Sequence, residues 1–126
     1  MRSSKLIAGT LLVLSLGLTG CISSVQPTAF PVGDKHLAAK PSGTPIQLFK
    51  DAKPTRPFDV VAKLNVHIEK TFFIPSAFDE ALPKLEELAR QQGADALVDI
   101  VEKKSRLNET FIYNVTATAV AFSDAR

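Results

Sequence analysis

The chain has 126 residues, with 15 Lys and Arg against 13 Asp and Glu, and a single cysteine. That length holds one domain at most, and one cysteine excludes an internal disulfide. Arg2 and Lys5 account for two of the basic residues, so the chain beyond residue 20 is formally neutral, with 13 charges of each sign. A neutral domain does not have the overall charge typical of nucleic-acid binding or of a polybasic membrane patch.

Residues 1–20 have the layout of a secretory signal. Arg2 and Lys5 precede the uncharged apolar run 6–17, and small residues follow it. This order is typical of a signal peptide, and the run is shorter than the roughly 20 residues of a spanning helix. The alternative is a retained membrane helix.

The end of this signal carries a short motif, Leu18-Thr19-Gly20-Cys21. It resembles the lipobox of bacterial lipoproteins. The resemblance implies that a dedicated signal peptidase recognises Leu18, Thr19 and Gly20 and cuts before Cys21. It also implies a diacylglyceryl group on the Cys21 thiol and an acyl group on the new amino terminus, and two or three acyl chains hold a protein firmly on a membrane. The alternative for Cys21 is a buried or reactive free thiol.

Residues 21–45 read as a lipidated cysteine and a flexible tether. Residues 22–45 contain four prolines and two glycines without a sustained period, which favours an extended, disordered segment. As a flexible coil they span roughly 25–30 Å. Ile22, rather than Asp, follows the cysteine; in the sorting rule of enteric lipoproteins this implies the outer membrane, with the domain in the periplasm.

The folded domain is expected at residues 46–122, followed by a tail at 123–126. Ile46 to Phe49 predicts a short strand. From Phe58 to Glu69 apolar and polar residues alternate, which predicts a strand with one buried and one wet face.

A helix follows, with Ser76 or Asp79 as its N-cap and Ser76-Ala77-Phe78-Asp79 spaced as a capping box. Pro83 is expected in its first turn, because a proline inside a helix breaks a hydrogen bond. Its apolar stripe is Leu82, Leu85, Leu88 and Ala89. Gly93 is expected as a left-handed cap at its end.

Residues 96–103 and 109–122 predict two further strands. On the last one, six residues share the face toward the helix: Phe111, Tyr113, Val115, Ala117, Ala119 and Ala121. The expected class is therefore α+β, a small antiparallel sheet of about four strands in ββαββ order with one helix on one face.

Several short segments resemble a known family. They are Pro45-Ile46-Gln47-Leu48-Phe49, Pro57-Phe58, Ile74-Pro75-Ser76-Ala77, Gly93-Ala94-Asp95-Ala96-Leu97 and Ala119-Val120-Ala121-Phe122. Over most of residues 45–122 they are similar to RcsF-type periplasmic domains, lipoproteins that report envelope damage to a phosphorelay, and more loosely to YbjQ-like small domains. The resemblance implies a sensor-like role. RcsF-type domains are stapled by disulfides, which this chain cannot form.

No catalytic or metal-binding motif is present in the sequence. His67 is expected on the polar face of its strand near Lys63 and Glu69, and the other histidine, His36, lies in the expected tether. A metal or acid–base site needs further converging ligands. A solvent-facing histidine is the favoured interpretation, and a small-ligand or enzyme site at His67, Lys63 and Glu69 is the alternative.

Two segments are candidates for binding a partner. Arg106 and Glu109 lie in the connection between the last two strands, where they dock a partner or close the hairpin. Phe72 and Phe73 are adjacent and cannot both face one core in an extended segment; either one is exposed to a partner or both pack ordinarily.

These observations predict a non-enzymatic, lipid-anchored envelope protein that binds another envelope protein as an adaptor or stress-sensor-like module. No cofactor is expected beyond the lipid on Cys21, and no nucleic-acid partner. The alternatives are a self-associating structural lipoprotein and, third, a ligand binder or enzyme.

Overall fold

A computed structural model describes residues 23–71 and 74–125. Five strands, one α-helix and a terminal 3₁₀ turn follow one another in this part of the chain: β1 (Ser23–Pro31), β2 (Gln47–Leu48), β3 (Phe58–Lys70), α1 (Phe78–Gln91), β4 (Ala96–Leu107), β5 (Thr110–Phe122) and the turn Ser123–Ala125. None of the helices in the described ranges is long and apolar enough to cross a membrane.

The strands form one sheet in the order β1-β3-β5-β4-β2. Neighbours from β1 to β4 are antiparallel, whereas β2 is parallel to β4. The α+β class with one helix is confirmed. The expected four-stranded antiparallel sheet in ββαββ order is wrong, because the sheet is mixed and has five strands, three of which precede the helix.

The additional strand comes from the segment expected to be a flexible tether. Residues Ser23 to Pro31 pair with β3 residue for residue, from Ser23 opposite Lys70 to Pro31 opposite Ala62. Proline suits an edge strand, because an edge leaves one row of N–H groups without a ladder partner. The prolines that suggested disorder are therefore compatible with this edge position.

The following residues, 32–45, are also held against the domain, and we call them the strap. The Lys40 N–H donates to the Arg90 carbonyl at 2.8 Å, at the end of α1. The Lys40 ammonium also pairs with the Asp95 carboxylate. The strap therefore fastens the segment after β1 to the C-terminal end of the helix.

The N-cap of the helix is neither Ser76 nor Asp79, the two residues expected there. Ala77 is the N-cap, and the Glu80 carboxylate accepts its N–H at 3.3 Å. Ser76 is instead buried, and Pro83 lies in the second turn rather than the first. Gly93 has the expected left-handed conformation, with φ of +72°.

The main core lies between α1 and one face of the sheet. The buried residues of the helix are Ala81, Leu85, Leu88 and Ala89, so Ala81 takes the place expected for Leu82. The face predicted for β5 is confirmed for four of its six residues, because Tyr113, Val115, Ala117 and Ala119 belong to this core. Phe111 is only half-buried.

The opposite face is not uniformly wet. The β3 alternation breaks between Val60 and Ala62, where the register shifts, so that Val61 is buried and Val60 is exposed. A second shift lies between Val98 and Val101 in β4. A smaller core cluster covers this face beside the shifts: Ala96, Val98, Val120, Phe122, Phe49 and Phe58.

The two ends of the sheet differ in what they carry. At one end β1 begins, β3 and β4 end, and β5 begins; we call this the entry end, because the chain enters the sheet there. The smaller core cluster and the turn Ser123–Ala125 lie toward the other end, which we call the far end.

Candidate functional site

The β4–β5 hairpin projects at the entry end of the sheet. Every residue of β4 beyond Ile100 is exposed. The strands are joined by the two-residue turn Asn108–Glu109, in which Asn108 has a φ of +54°. Asparagine tolerates this left-handed conformation better than most residues. The Arg106 Nε–H donates to the Asn108 carbonyl at 2.8 Å and thereby closes the turn.

A cavity of about 300 Å³ opens between this hairpin and the segment that leads into α1. We call it the hairpin groove. It is lined by Pro75, Ser76, Lys104, Ser105, Arg106, Phe111, Ile112 and Tyr113.

The groove combines aromatic rings with positive charge. Tyr113 is fully buried and Phe111 is half-buried. The Lys104 Nζ lies 5.7 Å from the centre of the Tyr113 ring, and the Arg106 guanidinium lies 5.6 Å from that of Phe111. A cation at this distance over a ring is attracted by the negative ring face, so both cations are held beside the apolar surface.

Ser76 adds an unusual polar group to the lining. Its side chain is only 6% exposed, and its buried Oγ has no hydrogen-bond partner among the described residues. A buried hydroxyl in this state has a desolvation cost that a bound donor or acceptor would remove.

A hydrogen bond and an ion pair, both to Glu102, hold Tyr113 in position in the groove lining. The Tyr113 hydroxyl donates to Glu102 Oε1, and the Lys50 Nζ lies 3.6 Å from the other oxygen of that carboxylate. The hydrogen bond from Tyr113, with Lys50 nearby, lowers the pKa of Glu102. Burial, reinforced by the carboxylate, raises the pKa of Tyr113. Tyr113 therefore stays a neutral donor and Glu102 a charged acceptor.

Of the residues expected to bind a partner, the structure describes Arg106 and Glu109. Arg106 lines the groove and also closes the hairpin, so both interpretations of it are compatible with its position. Glu109 is exposed in the turn. Phe72 and Phe73 lie outside the described residues, and so do the lipobox residues Leu18, Thr19, Gly20 and Cys21.

His67 lies on the sheet face opposite the helix, as expected from the alternation. Its Nδ1 is 2.7 Å from Asn114 Oδ1 and its Nε2 is 2.8 Å from Glu69 Oε1. Lys63 donates instead to Thr118 Oγ1, at 2.8 Å. The hydrogen bonds to Glu69 and Asn114 raise the pKa of His67. Both ring nitrogens are thus engaged by oxygen acceptors of the sheet.

Comparison with known proteins gave no match to a family model, to a curated sequence or to a solved structure. The lipobox and the RcsF-type resemblance therefore stay predictions. Among the described residues, no group of three His, Cys, Asp or Glu side chains is placed to hold a metal ion.

The groove as a whole was not predicted from the sequence. Arg106 was, but Ser76 was interpreted as a cap, Phe111 was interpreted only as a strand residue, and Lys104 was assigned no role. A signal was present in the alternation of β4, where Lys104 and Arg106 share the helix-side face with Glu102. The ladder places these two cations opposite Tyr113 and Phe111.

Proposed function

We propose that this chain is a lipid-anchored envelope protein without catalytic activity, and that it binds another envelope protein through the hairpin groove. The anchor is supported by the lipobox-like residues 18–21 at the end of a signal-like segment. The outer membrane, with the domain in the periplasm, is the location that Ile22 favours.

The observation that carries the binding proposal is the composition of the groove. It places two cations, Lys104 and Arg106, beside aromatic surface and the Ser76 hydroxyl, which has no hydrogen-bond partner in the described part of the chain. Interfaces are enriched in aromatic and Arg side chains that combine an apolar body with a polar tip. The fitting partner presents an acidic group next to an apolar side chain.

An enzyme or ligand site at His67 is supported less well. A general base needs a nitrogen that is open to a substrate proton, and a metal ligand needs a free lone pair. Each His67 ring nitrogen already faces an acceptor oxygen, of Asn114 or of Glu69. This arrangement favours a doubly protonated ring that stabilises the sheet.

Self-association through the edge strand β1 is also supported less well. The Val32 N–H points at β3, where it donates to the Val61 carbonyl at 2.8 Å. Successive residues of a strand point to opposite sides, so Pro27 and Pro31 fall on positions whose nitrogen faces outward. Prolines there remove donors that a second copy needs, a common protection of sheet edges.

Site-specific photocrosslinking in cells tests the proposal. A photoreactive amino acid at Ser105, in the groove lining, is expected to capture one or a few envelope proteins. The matched control places the same amino acid at Ala125, at the far end of the sheet. The double variant Lys104→Glu/Arg106→Glu is expected to abolish capture at Ser105 while the protein level is unchanged.

Two results contradict the proposal. If the photoreactive amino acid captures the same proteins equally well at positions 105 and 125, the groove is not the binding site. If the double variant Lys104→Glu/Arg106→Glu still captures the same proteins at position 105, the two cations do not contribute to binding.

A further inference from the structure

The distance between Cys21 and the sheet restricts where the membrane lies. Ser23, the first residue of β1, is two residues beyond Cys21, and two extended residues span about 7 Å. If Cys21 is acylated, as the proposed function holds, its acyl chains start within about 7 Å of the entry end. The residues expected to form a flexible tether are instead part of the folded domain, as β1 and the strap. They therefore do not separate the domain from the bilayer.

The entry end has the chemistry of a membrane-contacting surface. Leu107, in the last position of β4, is 65% exposed, and Ile74, after the end of β3, is 46% exposed. Lys103 and Lys104 precede Leu107 by a few residues and are exposed on opposite faces of the hairpin. Apolar side chains flanked by lysines suit the boundary between headgroups and acyl chains.

Acidic residues at this end are partly neutralised. Glu80, at the start of α1, pairs with Lys70 at the end of β3, and this pairing lowers the pKa of Glu80. Glu109 is exposed in the hairpin turn and is the acidic group nearest to Leu107 along the chain. Although the mature chain is neutral overall, the three cations Lys103, Lys104 and Arg106 outnumber the two carboxylates Glu102 and Glu109 on this hairpin.

From these three observations we infer that the entry end of the sheet rests on the lipid surface, with Leu107 and Ile74 at the depth of the headgroups and Lys103, which lies outside the groove, beside lipid phosphates. The domain then stands on the bilayer with the sheet ending at the membrane. The hairpin groove lies at the height of the membrane surface, where the exposed part of another protein of the same membrane can reach it.

Spin labelling of the full-length protein, matured and lipidated in cells, tests this orientation. Because the Cys21 thiol is consumed by the lipid, Leu107→Cys introduces a single reactive thiol. Ala125→Cys does the same at the far end and is the matched control. Each nitroxide-labelled protein is reconstituted into phosphatidylcholine vesicles, with and without phosphatidylglycerol. Collision with oxygen, which concentrates in lipid, is compared with collision with a water-soluble nickel chelate.

The label at position 107 is expected to collide preferentially with oxygen, and the label at position 125 with the nickel chelate. In the Lys103→Glu background, which leaves the groove cations unchanged, the preference for oxygen at position 107 is expected to fall in vesicles that contain phosphatidylglycerol. Equal access of the nickel chelate to both labels overturns the inference, because the domain then stands clear of the membrane.

Mass spectrometry of the N-terminal peptide separates this failure from failure of the proposed anchor. An acylated Cys21 together with a water-exposed label at position 107 rejects the orientation and leaves the anchor intact. An unmodified Cys21 rejects the anchor, and the orientation with it.

Discussion

His67 is held between two acceptors, and this geometry makes its charge dependent on pH. Each ring nitrogen lies beside an acceptor oxygen, of Glu69 or of Asn114, so the doubly protonated ring makes both hydrogen bonds. The folded-state pKa is therefore raised above the ordinary value of 6.5. A raised pKa means that the stabilisation is fully present below about pH 6.5 and is lost as pH rises through the folded-state pKa.

Removing the charge of Glu69 provides the test at this residue. In Glu69→Gln the pKa of His67 is expected to fall toward its ordinary value, because the hydrogen bond to the carboxylate is the largest cause of the shift. NMR titration of the His67 ring in both proteins measures this. An unchanged His67 titration in the variant contradicts the assigned cause.

Asp95 joins three parts of the chain that are distant in sequence. Its carboxylate accepts the Phe122 N–H at 2.7 Å and pairs with Lys40 in the strap. Its carbonyl accepts the Gln47 N–H of β2 at 3.1 Å. Together with the packing of Gly93 and of the buried Ala94 and Ala96, these contacts give the Gly-Ala-Asp-Ala segment a structural role.

Two substitutions separate the contributions of Asp95. Asp95→Asn keeps an oxygen for the Phe122 N–H and loses the ion pair, so we expect it to lower the free energy of unfolding by at most about 1 kcal/mol. Asp95→Ala leaves the Phe122 N–H without that acceptor, and we expect it to cost about 1–3 kcal/mol. Urea unfolding of both variants measures the difference. If the two variants are equally stable, the hydrogen bond to Phe122 is not the main contribution.

At the scale of elements, the end of α1 depends on contact with the strap. Gly93 has a φ of +72°, and a Cβ built on it lies 2.6 Å from both the Ala38 carbonyl oxygen and the Leu37 Cβ. Gly43 has a similar φ of +83° with nothing within 4 Å of such a Cβ. The two glycines share the backbone requirement and differ in packing.

This pair of glycines makes a matched comparison. Gly43→Ala is expected to cost about 1 kcal/mol, from left-handed strain alone. Gly93→Ala is expected to cost about 1–3 kcal/mol more, because the backbone of the strap has to move to admit the methyl group. Thermal or urea unfolding of both variants measures the difference. If both alanines cost the same, the strap is not packed against the helix end in solution.

The elements differ in how well the sequence predicts them. β3 and β5 were predicted with nearly correct bounds, because each has a long period-two pattern. β1 was not predicted, because its residues have the proline content of a linker and its pairing to β3 is a tertiary contact. The sequence also did not predict that Val61 is buried in place of Val60, because this change follows from a register shift of β3 against β5.

The hairpin groove shows the same limit at a functional site. Arg106 was a candidate because the sequence predicted it in a polar connection, where function is frequent; the structure places it in β4, which runs to Leu107. Ser76 was not, because its burial depends on how the segment before α1 packs beside the hairpin. Single residues of the site are visible in the sequence, whereas their convergence depends on tertiary structure.

At the scale of the whole molecule, the folded unit includes residues that were expected to lie outside it. β1 covers β3 along nine consecutive residue pairs, and the strap connects Lys40 to both Arg90 and Asp95. A chain that starts at Ile46 lacks all of these contacts. It also exposes β3 as a long edge with alternating apolar residues, which is the kind of edge that pairs with a second copy.

We therefore expect residues 46–126 to be less stable than residues 22–126 by several kcal/mol. The shorter fragment loses the backbone hydrogen bonds between β1 and β3, and each of them makes a net contribution of about 0.5–1.5 kcal/mol to stability. Such a loss is a large part of the roughly 5–15 kcal/mol that stabilises a typical domain. Urea unfolding and light scattering on the two fragments measure stability and mass. The longer fragment is expected to be a monomer, and the shorter one to unfold or associate. A monomeric 46–126 fragment of equal stability would show that β1 and the strap are accessory to the fold; Cys21 would then not be held close to the domain.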